Sequence, residues 1–440
     1  DDSESELFGP TENDSDFDLA DSTFYSQNMY SMHKLFRGGA SRITERQDWT
    51  PNTVYQAYPD KNSYVLSKNF VSGVEKLNVF QCIFSPLTPS IYAPTDFSLS
   101  PIKTPDGYVW KYLFTITSAE AVRFLTNDWM PVPEKVVRSE VQNLTPDATR
   151  YTQYLVQENA EIGTIYNILL DRELLFADSD FTFEDNVPVP LSVIDESLNV
   201  PTQKHLMNLL WSEETDKLTL ELVQEGKGYV GPVKVVLAED ETKEVEGATA
   251  IISPGEGHGA DAPEELGAYN IMLSARIIPN EETLKLMNSN TANMILLIRN
   301  PIDNISKKIA TQDFYVSCKS FRTTENPTFT INEEIISVVD DRKIGRVINV
   351  DNDENRVYYI NYKEKEEGTS FIDSEEITNV SYSAEEPDVP IKGQKVHRIQ
   401  KIYDRESVFN SGDILIVDWK PRVIIRSPDQ IESLNFIFNL

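Results

Sequence analysis

Two groupings in this chain have residue types and spacing suited to chemistry. One is a glycine-rich loop, Pro254–Asp261 ("PGEGHGAD"), and the other an acidic pentapeptide, Asp351–Asn355 ("DNDEN"). A phosphate cradle needs free backbone N–H groups with positive charge nearby. The loop carries Glu256 and Asp261 instead, and lacks the Gly-Lys-Ser/Thr ending of a phosphate-binding loop. Asp261 reads as the cap of a short helix, Ala262–Leu266, with Pro263 in its first turn. His258 reads as a lone group in a structural loop. The pentapeptide spaces Asp351, Asp353 and Asn355 like the start of a calcium loop. Its sixth position is Arg356 where such a loop needs glycine, and no helix pattern flanks it, so a hairpin tip is the better reading. Asp14, Asp16 and Asp18 also alternate, without a scaffold around them. His33, His205, His258 and His397 are scattered, and no Cys-x-x-Cys or His-x-x-x-His spacing occurs to suggest zinc. There is no Gly-x-Ser-x-Gly elbow for a serine hydrolase. The 71 acids single out no carboxylate pair for glycoside hydrolysis. The sequence therefore nominates no catalytic residue, no metal ligand and no cofactor site.

The strongest pattern is structural. In Thr104–Phe114 ("TPDGYVWKYLF") the residues Thr104-Pro105-Asp106-Gly107 predict a type I turn, with proline presetting φ at the second position and glycine suited to the fourth. A strand follows. Its alternate residues Tyr108, Trp110, Tyr112, Phe114 and Ile116 are all large and apolar or aromatic, while Val109, Lys111, Leu113 and Thr115 make a mixed opposite face. Burial of one Phe-sized side chain is worth about 1.5–3 kcal/mol, so this strand is expected to be the spine of a core.

The totals bound what such a core belongs to. With 440 residues the chain has room for two or three domains. No run approaches the 18 or so apolar residues of a membrane-spanning helix, and the polar start "DDSESELFGP" does not read as a signal peptide. The net charge of −31 repels phosphate backbones and acidic membranes. Solubility, or a basic protein partner, is the sensible use of that charge. Cys82 and Cys318, far apart, imply no disulfide scaffold.

Along the chain, residues 1–21 hold nine acids and no Lys or Arg. They read as an extended acidic arm whose Phe8, Phe17 and Leu19 are able to dock on a neighbour. A helix is predicted over Asp21–Phe36, ended by Gly38-Gly39. A strand-rich domain then spans 22–135, with short strands at Thr53–Tyr55, Tyr64–Leu66 and Leu77–Phe84, and a helix at Ala119–Leu125 capped by Ser118. A β-rich central domain over 136–315 is built from short strands, among them the segment "RYTQYLVQENAEIGTIYNILL" and the alternating Leu218, Leu220 and Leu222. A small β module spans 316–383, with Asp351–Asn355 at a hairpin tip. Residues 384–440 return to pack with the N-terminal domain, and the alternation of Leu434, Phe436, Phe438 and Leu440 places them in a sheet. The fold class expected is mainly β with a few short helices (α+β): a multi-domain chain of β-sandwich-like domains plus a small inserted β-barrel-like module.

The stretch "DGYVWKYLF", followed by a short helix and "MPVPE" (Met130–Glu134), resembles the baseplate wedge protein, gene product 8, of T-even-like contractile-tailed bacteriophages. The C-terminal "SGDILIVDWKPRVIIRSPDQIESLNFIFNL" resembles the ending of the same family. There a glycine starts a strand, an acidic turn leads to a proline, and an Asp-Gln-x-Glu step precedes a last strand; the matching positions are Gly412, Asp418, Pro421, Asp429, Gln430 and Glu432. The family-like motif residues are thus Asp106, Gly107, Tyr108, Trp110, Tyr112, Phe114, Gly412, Pro421, Asp429 and Gln430. The family has a further segment with a strand ahead of this point, so the sequence here is expected to be trimmed at its start. The resemblance implies a structural component of the virion, a homodimer in each wedge of the tail baseplate, assembled in the host cytoplasm. It also implies contacts to other wedge proteins and no enzymatic activity, nucleic acid or membrane. The rival readings from composition are a carbohydrate-binding or -degrading β-protein of a phage tail and a calcium-dependent adhesion module.

Overall fold

The computed structural model describes residues 24–35, 38–71, 73–95, 97–145, 148–177, 183–197, 199–277, 294–361, 368–383, 389–419 and 432–439. The acidic arm 1–21, residues 362–367 of a charged turn, and the motif positions Pro421, Asp429 and Gln430 lie outside the described residues. Strands take up 46% of the described residues and helices 10%, which makes it a mainly β, multi-domain protein.

In chain order the first half contains β1 (Ser31–His33), β2 (Ala40–Glu45), β3 (Tyr64–Val71), β4 (Val74–Phe84), β5 (Ile102–Lys103), β6 (Val109–Ile116), β7 (Trp129–Val132), β8 (Ile165–Leu170), β9 (Val189–Asp195), β10 (Leu206–Ser212) and β11 (Lys217–Gln224). Then come β12 (Val233–Leu237), β13 (Asp240–Glu244), β14 (Ala248–Ile252), β15 (Asn270–Ile277), β16 (Met294–Arg299), β17 (Phe314–Val316), β18 (Lys319–Thr323) and β19 (Glu334–Ser337). The chain ends with β20 (Ile344–Asp351), β21 (Arg356–Asn361), β22 (Glu376–Tyr382), β23 (Pro390–Tyr403), β24 (Asp413–Trp419) and β25 (Glu432–Asn439).

One compact unit comprises Gly38–Ser274 with Asn435–Leu440. It holds a sheet of order β3-β4-β6-β5, a five-stranded sheet β11-β10-β9-β12-β13, the pair β14-β8 and the sheet β25-β15-β2-β7. The strand predicted as the spine is β6, and it is buried on both faces. Its aromatic row does not stay on one side. Val79 pairs with Phe114 while Phe80 pairs with Tyr112, so Leu113 is an extra residue. A bulge of this kind flips the alternation. Tyr108, Trp110 and Tyr112 therefore fill one cluster with Tyr55, Phe80 and Val156. Phe114 and Ile116 join Leu113 in another, with Met130 and Val132. The last strand, β25, lies at the edge of its sheet beside β15; Leu434, Phe436 and Phe438 are the more covered residues and Ile437 the exposed one.

Several local expectations change. The segment read as strand after Arg150 is an α-helix, Thr149–Glu158. It has no side-chain cap, and its Tyr, Thr and Val residues favour strands as strongly as helices. Burial of Val156 and Gln153, three residues apart, selects the helix instead. Of the helix predicted over Asp21–Phe36, the described part is a single helical turn at 24–27, and the chain then extends as β1 to pair with β17. Thr53–Tyr55 makes one bridge, Thr53 to Ser90, not a strand. Thr117, not Ser118, caps the helix Ser118–Phe124, through a reciprocal box with Glu120.

The other unit takes Ala275–Leu434 with the residues before Gly38. Its centre is a closed barrel of order β18-β21-β20-β19-β22-β23. Phe321, Ile335, Val347, Val357, Tyr359, Phe371, Ile377 and Ile399 fill it. The sixth strand, β23, lies beyond the Ser383 boundary read from the sequence. The hairpin tip Asp351–Asn355 is present between β20 and β21, with Asp351 Oδ1 accepting from the amides of Asp353 and Glu354. The pair β16-β24 and the pair β1-β17 complete the unit.

Candidate functional site

The family-like motif builds a joint. Gly107 N–H donates to Thr104 C=O at 2.9 Å, which closes the predicted turn, and Gly107 takes φ +93°. Asp106 then acts as a clamp. Its Oδ2 accepts from Ser90 Oγ (3.0 Å) and from the amides of Ile91 (2.8 Å) and Tyr92 (3.1 Å), while Oδ1 accepts from Thr104 Oγ1. Partial burial pulls the Asp106 carboxyl upward, but these donors outweigh it and hold it below the usual range. Tyr108 donates to Thr88 C=O at 2.6 Å and stacks on Trp110, with ring centroids 5.6 Å apart. Tyr55 meets Trp110 edge-on. The hydroxyl of Tyr112 bonds Thr115 Oγ1, and burial pushes its pKa up to about 12. These aromatic side chains are interior, so none forms an exposed platform.

Gly412 sits just ahead of β24, in the other unit, at φ +85°. A Cβ there would fall 2.8 Å from Ile298 Cγ2 and 2.9 Å from Arg299 C=O. Only glycine lets β24 start this close against β16.

Behind the mixed face of β6 is a polar cluster that the sequence reading missed. His258, read as a lone group, has a partner: its Nδ1 lies 2.7 Å from Glu265 Oε1. Both side chains are buried. The second oxygen of Glu265 accepts from Gly259 N–H at 2.7 Å. The Tyr58 ring stands edge-on to the imidazole at 5.0 Å. The loop Pro254–Asp261 is thus held from inside, and Asp261 caps the helix Ala262–Glu265 by accepting from Glu264 N–H, as expected. Lys111, on β6, donates to Leu99 C=O at 2.6 Å. Burial lowers its pKa, against the opposing pull of Glu265 and Glu161. A signal was present in the sequence: Glu265 ends the helix that Asp261 begins, which returns it towards His258. Neither residue belongs to a motif, so spacing alone did not join them.

The barrel unit has two further buried polar ties. Glu375 Oε1 accepts from Lys343 Nζ (3.0 Å) and Ser337 Oγ (2.6 Å), and its Oε2 accepts from Ile372 N–H (2.8 Å). Arg405 Nη1 donates to the carbonyls of Ser26 (2.8 Å) and Ser317 (2.7 Å). The hollow beside Arg405, lined also by Ser26, Met29, Met32 and Ser407, encloses about 10 Å³, room for one water. Each tie satisfies its groups with main chain and side chain.

Among the described residues no three His, Cys, Asp or Glu side chains are grouped to hold a metal ion. No helix there is long and apolar enough to cross a membrane. Cys82 and Cys318 are buried free thiols. No protein-family model matches the chain, and no curated protein is significantly similar to it.

Proposed function

We propose that this chain is a structural component of a phage contractile-tail baseplate wedge, working as a homodimer that holds partner wedge proteins through broad interfaces. The observation that carries the reading is the use of the motif at Asp106–Phe114. The residues that resemble the wedge family are spent on a turn clamp and a twice-buried core strand, which is what a rigid scaffold requires of them. Gly412, in the second family-like block, has a steric reason to be glycine at the start of a strand. Stable obligate interfaces bury about 2,000 Å² or more, and a chain of several sheets with internally tied loops presents rigid surface on that scale. Its mechanism is positional: the dimer keeps its partners in register while the baseplate rearranges by rigid-body movement about interfaces. The glycan-binding alternative would need exposed aromatic rows, whereas the rings of β6 are interior.

Immunogold labelling with antibody raised against the chain tests the reading. Gold at the tail end of virions of the virus that encodes it supports the assignment. Uniform absence from assembled tails, with the chain recovered free in the lysate, contradicts it.

A further inference from the structure

The barrel carries three cations in one row, in a chain whose net charge is −31. Arg322 on β18 is the register partner of Arg356 on β21 and of Lys401 on β23. Their chain neighbours Phe321, Val357 and Ile402 pack in the barrel core, so the three cations point outward. Neighbouring strands lie about 4.8 Å apart, which makes the row about 10 Å long. Like charges placed opposite one another destabilise a sheet, yet one end of the row is built in detail. Ser320 pairs with Tyr358 on one side and with Tyr403 on the other. Arg356 lies over it, its Nε donating to Ser320 Oγ at 3.0 Å. The Arg356 Cζ is 5.0 Å from the Tyr358 ring centroid and 4.4 Å from that of Tyr403, and Lys401 Nζ is 5.1 Å from the Tyr403 ring. The guanidinium of Arg356 is thus positioned between two rings before any ligand arrives. The charge of the row is answered loosely. Among the described residues one carboxylate pairs with it: Glu354 Oε2, 4.0 Å from Arg322 Nη2 and 3.9 Å from Arg356 Nη1, beyond hydrogen-bond reach. Arg322 Nε has no hydrogen-bond partner.

We infer that the row is a binding site for a compact oxyanion, a phosphoryl or carboxylate group, seated between Arg322 and Arg356 and reached by Lys401. Such a group accepts charge-assisted hydrogen bonds from two guanidinium groups at once, which are stronger than the long pair with Glu354. Glu354 lies at the exposed hairpin tip and competes for the same place. The side chains of Arg322 and Arg356 are 41% and 24% exposed, so an ion in solvent reaches both. The net charge of the chain argues against a long phosphate backbone. Its distant part is screened beyond about 8 Å at physiological salt, so a compact ion meets mainly the local row. The site is independent of how the chain assembles with other proteins.

Phenylglyoxal modification of the full chain, mapped by mass spectrometry, tests this, because the reagent reacts with accessible guanidinium groups. Sodium phosphate is compared with sodium chloride at equal ionic strength and constant pH, and the exposed Arg398 of β23 serves as internal control. Millimolar phosphate is expected to slow modification of Arg322 several-fold and to leave Arg398 unchanged. Glu354→Gln removes the competing carboxylate, and half-protection is expected at several-fold lower phosphate. Lys401→Gln, also on the surface, is expected to need several-fold more. A parallel series in sodium acetate separates the sources. Protection at lower phosphate than acetate assigns a phosphoryl group and the reverse order a carboxylate, and either supports the site. Protection of Arg322 no greater than that of Arg398 in the parent chain overturns the inference, with no variant needed. So does protection that chloride reproduces at the same ionic strength.

Discussion

Nδ1 of His258 and Oε1 of Glu265 lie 2.7 Å apart in the interior of the larger unit, with the other carboxylate oxygen on Gly259 N–H. This pair fastens a glycine-rich loop that has few side chains of its own to pack. Glu265→Ala removes the acceptor of both bonds and leaves two buried polar groups without partners. The expected loss is about 2–4 kcal/mol of unfolding free energy, measured by urea denaturation. Glu265→Gln keeps the shape and one acceptor and is expected to lose less. Equal stability of the alanine variant and the parent chain would show that the pair does not hold the loop.

Among the described residues Trp110 is the largest fully buried side chain, with the Tyr55 and Tyr108 rings against it and Phe80 in the same cluster. Trp110→Ala is expected to cost about 3–5 kcal/mol, enough to abolish soluble expression or lower the melting temperature steeply. Circular dichroism of the purified variant checks it. A folded variant of ordinary stability would mean that β6 is not the spine of its core.

Acid should act through His205. Its Nδ1 is 3.1 Å from Ile165 C=O, its Nε2 is buried with no partner, and burial lowers its pKa from 6.5 to about 4. The folded state therefore binds this proton less readily than the unfolded chain does. Stability from the neutral ring is complete above pH 6.5 and is lost as the pH falls towards 4, by about 3 kcal/mol in total. Other groups titrate in the same range, so the informative quantity is a difference. Between pH 7 and pH 4, the parent chain should lose more unfolding free energy than His205→Gln. Parallel losses would place the acid sensitivity elsewhere.

Both thiols should be inert in the native protein. Burial raises the pKa of Cys318 to about 12 and that of Cys82 well above the ordinary thiol value, and reactivity requires an accessible thiolate. Aromatic disulfide reagents at pH 8 are expected to titrate no thiol in native buffer and two in denaturant. Rapid native labelling at either position would reveal local opening of β4 or of the segment leading into β18.

Features set by neighbours in the chain were legible from the sequence. The turn at Thr104–Gly107, the cap at Asp261 and the hairpin tip at Asp351–Asn355 each depend on a few adjacent residues with known conformational demands, and the mainly β architecture followed from period-two patterns. Features set by distant partners were not. The helix Thr149–Glu158 forms because Gln153 and Val156 are buried together, Val156 in the core cluster of β6, a partnership invisible in its own strand-like composition. The bulge at Leu113 divides a row that alternates without interruption in the sequence. Ser31–His33 becomes a strand because Phe314–Val316 lies alongside. Glu265 reaches His258 only once a capped turn brings it back. The described motif residues of the resemblance fell on a turn and a core strand at Asp106–Phe114 and on a strand start at Gly412.

Light scattering on size-exclusion chromatography, with the isolated chain and then with candidate wedge proteins added, tests the central proposal most directly. A particle of about twice the 50.0 kDa of one chain, which moves quantitatively into a larger complex when the partners are present, is the predicted result. A 50.0 kDa monomer whose elution is unchanged by every wedge partner would contradict it.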